Sequence, residues 1–324
     1  MLAVLATTFP FFALVLCGWL AAERGWLADN AIPGLNGFVL YFALPCLLFR
    51  FGRDTPLLQL LNPALLGVYL AAALLIVGLT LALTLKPPVG MKDAALGALV
   101  AAFPNTGFMG VPLIVALLGS HAAGVVISTI LADLLVTSSA CIALAQAGTR
   151  LRAERAAFVQ AVKAAASNPL PWAIAAGAGC GALDLALPGP LDQAVAMLAA
   201  AASPVALFTI GAVLSRSGRA NHAAGRATPL AHYLPVALIK LLLHPGLVFG
   251  LGTVVRWLGA PLSQDQLIAL TLAAALPSAS NVSLLAERYG ADSGRIARII
   301  LASTALAFLT FSGLASWLIP PAAG

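Results

Sequence analysis

The sequence predicts an all-α integral membrane protein with ten transmembrane helices, arranged as two inverted five-helix repeats. Three observations indicate this class: an apolar composition, a series of apolar segments of membrane-spanning length, and an uneven distribution of basic residues. Of the 324 residues, 61% are hydrophobic and 9% are charged, and the mean hydropathy is +1.00. Because a soluble domain is typically under half apolar and about a quarter charged, this chain could not cover its apolar surface in water.

The apolar segments are each near the ~20 residues that span a bilayer. The first segment has neither a basic N-terminal region nor a small-residue cleavage site, so it is predicted to stay in the protein as a helix. Asn62-Pro63 and Asn168-Pro169 fit helix starts, since proline in the first turn lacks only an N–H that would have no helical partner. The predicted spans are residues 2–22, 33–52, 60–85, 93–118, 121–146, 168–187, 191–215, 229–258, 265–287 and 294–319.

The basic residues predict the orientation of the chain. Thirteen of the 17 lysines and arginines fall in loops on one side of the predicted membrane, three fall on the other side, and Lys240 falls within a span. The positive-inside rule places the rich side in the cytoplasm and both termini outside, across a bacterial cytoplasmic membrane. The rich set is Arg24, Lys86, Lys92, Arg150, Arg152, Arg155, Lys163, Arg216, Arg219, Arg226, Arg288, Arg295 and Arg298; the poor set is Arg50, Arg53 and Arg256.

A polar stretch between spans five and six divides the chain into two halves. The first repeat is predicted at 1–146, a cytoplasmic linker at 147–167 and the second repeat at 168–324. Five spans in each half place the halves in opposite orientations. Weak internal similarity agrees, because FALPCLLFRFG of span two aligns with AASPVALFTIG of span seven, and AAFP of span four aligns with AALP of span nine.

Two of the predicted spans contain helix-breaking residues in matching positions. Span four reads AAFPNTGFMGVPL over 101–113, and span nine reads AALPSASNVSLLAERYG over 274–290. Lipid cannot hydrogen-bond a broken backbone, so such breaks survive only inside protein or beside a watery cavity. Paired interrupted helices are the best sequence indication of a transporter's binding site. Pro104 and Pro277 are therefore predicted to break the two helices, at a cost of ~3 kcal/mol or more each if the helix continued.

The residues beside these prolines can bind an anion. Free N–H groups at the start of a half-helix carry partial positive charge, and amides and hydroxyls add further hydrogen-bonding groups. The alternative is that these side chains only satisfy the broken backbone and let helices pack closely. The candidate substrate-binding residues are Asn105, Thr106, Gly107, Ser278, Ser280 and Asn281.

Three ionisable residues lie within predicted spans. Asp133 interrupts an apolar segment of span five, and Lys240 and His244 lie one helical turn apart in span eight. Intramembrane charge is costly and functional by default, so the three are candidates for an ion pair or a coupling site. Two alternatives remain: Asp133 and Lys240 form a static pair that holds helices together, or His244 only hydrogen-bonds the backbone disturbed by Pro245.

The motifs PNTGFMGVPL, LPSASN…LAERYG and KLLLHPGL (240–247), with the ten-span layout, resemble the auxin efflux carrier family. Bacterial members of that family include proteins described as malonate transporters. The resemblance implies that spans four and nine unwind and cross near the bilayer centre. It also implies a scaffold, formed by the first two spans of each repeat, that often dimerises, and a moving transport domain formed by the other three. The long cytoplasmic loop of plant members is replaced by the short basic linker.

The sequence therefore predicts a secondary transporter that moves a small organic anion, such as malonate or an auxin-like acid, by alternating access. The alternative is a sodium-coupled symporter or cation/proton antiporter of a related fold, although paired acidic residues are missing from the breaks. A receptor or channel would need a signalling domain or rings of pore charges. No P-loop, GxSxG or metal-ligand motif is present, and no basic stripe with aromatics. The expected partners are the organic anion, the lipid bilayer, a coupling proton or sodium ion and a second copy of the chain; no enzyme activity, cofactor, metal or nucleic acid is expected.

Overall fold

The structure is a computed structural model that describes residues 2–56, 62–87, 89–146, 167–223 and 229–319. Nearly all of the predicted linker at 147–167 lies outside the described residues, as do Arg150, Arg152, Arg155, Lys163 and Arg226. The described helices are α1 Leu2–Glu23, α2 Ile32–Asp54, α3 Pro63–Thr84, α4 Met91–Ala102, α5 Thr106–Leu118, α6 Ser120–Gln146, α7 Pro169–Ala182, α8 Gly189–Ala223, α9 Leu234–Trp257, α10 Gln264–Ala275, α11 Val282–Tyr289 and α12 Ser293–Leu318.

Seven of these helices are long and apolar enough to cross a membrane within the described residues: α1, α2, α3, α6, α8, α9 and α12. The prediction of an all-α membrane protein is confirmed at this level, and the count of ten crossings stays a prediction. Predicted spans four and nine are each divided into two shorter helices, α4 with α5 and α10 with α11. Predicted span six is helical over only 14 residues, as α7, and is followed by Asp184 in the left-handed conformation at φ 49°.

Wide π-helical turns interrupt several helices. Three of them, at Val39–Ala43, Thr106–Gly110 and Ile239–Leu243, end two residues before a proline. Proline lacks an N–H and its ring clashes with the carbonyl four residues earlier, so the wider turn accommodates it. The fourth, at Asp133–Thr137, has no such proline. There the N–H and the hydroxyl of Ser138 both donate to the Asp133 carbonyl oxygen, the hydroxyl at 2.7 Å. Such bulges are frequent at functional sites.

The closest helix packing joins α1 to α8 and α2 to α7. A Cβ atom at Gly18 would collide with the carbonyl of Phe208 on α8, and one at Gly211 would collide with a carbonyl of α1. Gly52 and Gly177 hold α2 and α7 together in the same way. Small residues permit such close approach in membranes, where helices associate by packing and not by the hydrophobic effect. These four helices form one group, called here the glycine-packed group.

The remaining long helices are α3, α6, α9 and α12. Together with α4 and α10 they form a second group, called here the crossing group. Arg295 lies at the start of α12, where it is buried, and its guanidinium donates to the carbonyls of His232 at 2.9 Å and Asp93 at 3.1 Å. Asp93 also accepts from the N–H of Asp292 at 2.7 Å. These bonds hold the starts of α4, α9 and α12 together. Arg295, counted among the loop charges in the sequence, is thus an internal bridge.

Candidate functional site

The two helix breaks lie against each other. Residues 103–105 separate α4 from α5, and residues 276–281 separate α10 from α11. The N–H of Asn105 donates to the Pro277 carbonyl at 2.8 Å, and the N–H of Ala279 donates to the Phe103 carbonyl at 3.0 Å. Pro104 and Ser278 form an isolated antiparallel bridge between these two bonds. Each break therefore supplies hydrogen-bond partners for backbone groups that the other break leaves free.

Ser278 uses both of its hydrogen-bond donors within the protein, beside this contact. Its hydroxyl donates to the Val100 carbonyl at 2.9 Å, near the C-terminal end of α4, and its N–H donates to the Ser303 hydroxyl at 3.1 Å on α12. The residue is buried. Since its donors are engaged within the protein, its position favours the packing alternative raised from the sequence over a direct contact with a ligand.

The other candidate residues keep unused polar atoms or open space. The Thr106 hydroxyl oxygen and the Asn281 Oδ1 atom are both buried without a hydrogen-bond partner among the described residues. Asn105 is also buried, and its backbone oxygen accepts from the N–H groups of Met109 and Gly110, both at 3.1 Å. Buried polar atoms are usually paired, so the unpaired ones at the two breaks are suited to a ligand.

The remaining candidates lie on either side of these atoms. A Cβ atom at Gly107 would meet only the end of the Leu44 side chain, at 3.7 Å. The carbonyl of Ser280 accepts from the Ser283 hydroxyl at 2.8 Å, where α11 starts. Space beside Gly107 and a turn held by a side-chain hydrogen bond thus flank the contact between the two breaks.

A cavity of about 370 Å³ lies beside the second break. Ser280 and Asn281 line it, with Phe108 of α5 and Arg216 of α8. Of the six candidate binding residues, these two are the ones that line this cavity in the part of the chain that the structure describes. From the sequence, Arg216 is predicted only as a loop charge, because predicted span seven ends at residue 215. Further polar side chains on the wall are Asn36, Tyr41, Ser217, Ser283, Glu287 and Ser293.

A second polar site is enclosed entirely by the crossing group. The carboxylate of Asp133 accepts from the Tyr69 hydroxyl at 2.6 Å and from the Thr137 hydroxyl at 3.0 Å. All three side chains are fully buried. Each carboxylate oxygen thus has a donor, which offsets part of the cost of burying the group. Tyr69 was not identified from the sequence, although a tyrosine within an apolar span is the one signal that could have indicated it.

Lys240 lies on the other side of this site. Its Nζ donates to the Ala274 carbonyl at 2.5 Å and lies 3.2 Å from Nδ1 of His244. Ala274 is in the last turn of α10, where carbonyls lack helical partners, so the ammonium group caps the broken helix and complements the negative end of its dipole. His244 contacts Lys240 through one ring nitrogen, and its Nε2 is buried without a partner in the described structure.

Asp133 and Lys240 do not contact each other directly in the described part of the chain. The contacts run from Asp133 to the Tyr69 hydroxyl, from the Tyr69 ring to the His244 ring at a centroid distance of 5.9 Å, and from His244 to Lys240. Each charge has hydrogen-bonding partners supplied by α3, α6 and α10, and an ion pair or coupling role for Asp133, Lys240 and His244 stays a prediction. These residues are called here the buried relay.

Among the residues that the structure describes, no group of three or more His, Cys, Asp or Glu side chains is placed to hold a metal ion. The four cysteines are unpaired. A bundle of apolar helices, two broken helices in contact and polar groups buried beside them are typical of a polytopic membrane transport protein.

Comparison with known sequences gives the family. Residues 3–315 match the family described as "Membrane transport protein", and the chain belongs to this family, that of the auxin efflux carriers. The chain is 27% identical over 316 residues to a protein of Rhizobium meliloti named "Putative malonate transporter", an alignment that covers 97% of this chain and 95% of the relative. The resemblance inferred from the motifs is confirmed.

Two further relatives match parts of the chain. "Auxin efflux carrier component 8" of Arabidopsis thaliana is 27% identical over 128 residues, which are 38% of this chain and 35% of the relative. An uncharacterized transporter of Methanocaldococcus jannaschii is 32% identical over 111 residues, which are 33% of this chain and 36% of the relative.

Proposed function

We propose that this protein is a secondary transporter that moves a small organic anion, a carboxylate such as malonate, across the bacterial cytoplasmic membrane by alternating access. The observation that carries the proposal is the contact between two interrupted helices, with unpaired polar atoms at Thr106 and Asn281. A loop exposed to water would not need such a contact. Interrupted helices that meet inside a membrane protein are typical of transporter binding sites. The family and the name of the Rhizobium meliloti relative support the same substrate class.

The proposed architecture is ten crossings in two inverted five-helix repeats, with the broken helices crossing near the bilayer centre. The pairing of helices supports it. If α1 and α2 correspond to α7 and α8, exchange of the repeats converts the contact of α1 with α8 into the contact of α7 with α2. Both contacts are present, and both depend on glycines against carbonyls. The glycine-packed group would then be the scaffold that dimerises, and the crossing group the part that moves.

The proposed binding site is formed by Asn105, Thr106, Gly107, Ser280 and Asn281 at the crossing. The amides donate to a carboxylate, and the half-helices α5 and α11 begin beside it with the positive ends of their dipoles. Ser278, with its donors engaged elsewhere, holds the two breaks together. Without a lysine or arginine between the two breaks, binding at the crossing itself stays weak enough for release.

The proposed role of the buried relay is to couple transport to a cation, preferably the proton. Asp133, Lys240 and His244 can each gain or lose a proton, and His244 Nδ1 lies within hydrogen-bond distance of Lys240 Nζ. A sodium site is less favoured, because both Asp133 oxygens already accept hydrogen bonds and Lys240 supplies a fixed cation nearby. These contacts argue against the sodium-coupled alternative.

Reconstitution in liposomes tests the transport proposal. Uptake of labelled malonate and a panel of other organic acids would be measured with an imposed proton gradient, sodium gradient or membrane potential. We expect saturable uptake of at least one carboxylate, driven by the proton gradient, and none in protein-free liposomes. Absence of uptake for every carboxylate, or flux that does not saturate, would contradict it. One-sided cysteine labelling tests the proposed topology, in which both termini are outside.

A further inference from the structure

The cavity beside the second break lies between the two helix groups. Its wall includes Arg216 and Ser217 from α8 of the glycine-packed group, and Ser280 and Asn281 from the break in the crossing group. Its volume of about 370 Å³ falls within the range of ~300–1,000 Å³ usual for small-molecule pockets. A ligand held here would thus contact both groups at once.

Arg216 is the one cationic side chain among the described residues that line this cavity, and Glu287 is the one anionic side chain. Glu287 is exposed. The hydrogen bond of Arg216 is a long one, 3.5 Å from its guanidinium to the Asp29 carbonyl. Its five N–H donors are therefore largely free for a ligand.

The neighbouring Arg219, almost one helical turn further along α8, shows why Arg216 is free. Arg219 forms ion pairs with Glu23 at 3.2 Å and with Asp29 at 2.6 Å, and it also donates to the Ala22 carbonyl at 3.0 Å. The acidic side chains at the end of α1 are thus engaged by Arg219. The two arginines have the same chemistry and different surroundings, one structural and one facing the cavity.

Asn281 lines the same cavity as Arg216, and its Oδ1 atom is buried without a hydrogen-bond partner among the described residues. Rotation of the amide by half a turn exchanges its oxygen and its NH₂ group, so the same position can donate to a carboxylate. An arginine and an asparagine that line one cavity offer two separate sites for negative oxygens. The arginine can bind one carboxylate through two parallel N–H···O bonds.

We propose that Arg216 binds the second carboxylate of a short dicarboxylate whose first carboxylate is held by Asn281 and Ser280. This rests on the proposed function and specifies its substrate: the protein selects a small dianion over a monocarboxylate. The selection is made across the boundary between the helix groups, because Arg216 belongs to one group and Asn281 to the other. When the groups move relative to each other, the dianion loses one of its two contacts, which releases it.

The test compares two ligands and two arginines. Malonate and acetate binding to the purified full-length protein would be measured by calorimetry for the parent, Arg216→Gln, Arg216→Lys and Arg219→Gln. We expect Arg216→Gln to weaken malonate binding tenfold to a hundredfold and to change acetate binding by less than twofold. Arg216→Lys, which keeps the charge and loses the bidentate geometry, should fall between. Arg219→Gln should bind malonate like the parent and melt at a lower temperature.

Two outcomes separate this inference from the proposed function. If Arg216→Gln binds malonate as the parent does, or loses the same fraction of its affinity for malonate and for acetate, Arg216 does not bind the second carboxylate. The transport proposal then stands. If the parent binds neither malonate nor acetate nor any other carboxylate of the panel, both proposals are wrong. The melting temperatures show whether a variant has lost binding because it has lost its fold, and Arg216→Lys then supplies the comparison.

Discussion

Neutralising Asp133 and Lys240 together is expected to destabilise the protein by less than the sum of the two single changes. Both side chains are fully buried, and each has been given hydrogen-bond partners by other helices. A buried charge whose counter-charge is removed is costly. The single variants Asp133→Asn and Lys240→Met each leave one such charge, whereas the double variant leaves none.

The structure sets the size of the effect. Asp133→Asn weakens two charge-assisted hydrogen bonds, each worth ~1.5–3 kcal/mol, from Tyr69 and Thr137. Lys240→Met leaves the Ala274 carbonyl without its donor, at ~1–3 kcal/mol. Two charges more than 4.0 Å apart attract by less than ~4 kcal/mol at an effective dielectric constant of about 20. We therefore expect the double variant to lose ~1–3 kcal/mol less than the sum of the single losses.

The assay is a double-mutant cycle on unfolding in detergent, followed by tryptophan fluorescence, with proton-driven uptake measured on the same four proteins. Thr253→Val is the control on α9, since Thr253 is exposed and donates only within its own helix. Stability and uptake of this control should match those of the parent. If the losses of the two single variants add to that of the double variant within ~0.5 kcal/mol, the charges act independently and the relay is not a unit.

Three further predictions test the site and the fold. Asn105→Ala or Asn281→Ala should weaken malonate binding about tenfold, as expected for loss of a charge-assisted hydrogen bond. Thr106→Ala should have a smaller effect. Unchanged binding in both asparagine variants would place the site elsewhere. Ser278→Ala should lower stability by ~1 kcal/mol and leave malonate affinity as it is, and a large affinity loss would mean that its hydroxyl contacts the ligand. Gly211→Val should prevent stable folding, because its side chain would collide with a carbonyl of α1; a normal yield and melting temperature would show that α1 and α8 are further apart.

The helix breaks could be located from sequence because their cause is local. Pro104 and Pro277 each remove an N–H and disfavour continuous helix, and the helices end at Ala102 and Ala275, two residues before each proline. The pairing of the two breaks could not be derived in the same way. The hydrogen bonds from Asn105 to Pro277 and from Ala279 to Phe103 join residues more than 170 positions apart, and no local pattern encodes such a contact.

The buried charges could also be predicted from the sequence, because their signal is local. Their partners could not be predicted. A carboxylate or an ammonium group in an apolar segment is visible in the sequence, so Asp133 and Lys240 were identified. Their actual partners, the Tyr69 hydroxyl and the Ala274 carbonyl, come from separate helices. A carbonyl leaves no trace in the sequence, and its availability depends on the break that follows it.

Arg216 was assigned to a loop because three arginines and several small polar residues follow residue 214 and end the apolar run. The helix nevertheless continues to Ala223. The reason lies outside α8, since Arg219 is held by Glu23 and Asp29 near the end of α1. Hydropathy places Arg216 in a cytoplasmic loop, whereas in the structure it belongs to α8 and lines the cavity.

The antiparallel bridge between the breaks restricts how the protein can change shape. Drawing the two breaks apart would leave the N–H groups of Asn105 and Ala279 and two carbonyls without partners, where no bulk water can replace them, at several kcal/mol for each group. The low-energy motion keeps the bridge closed. Under the proposed alternating-access mechanism, the four half-helices would travel as one rigid block. A pathway through the membrane would then open along the outer surface of that block, where it slides past α1, α2 and α8, instead of through its middle.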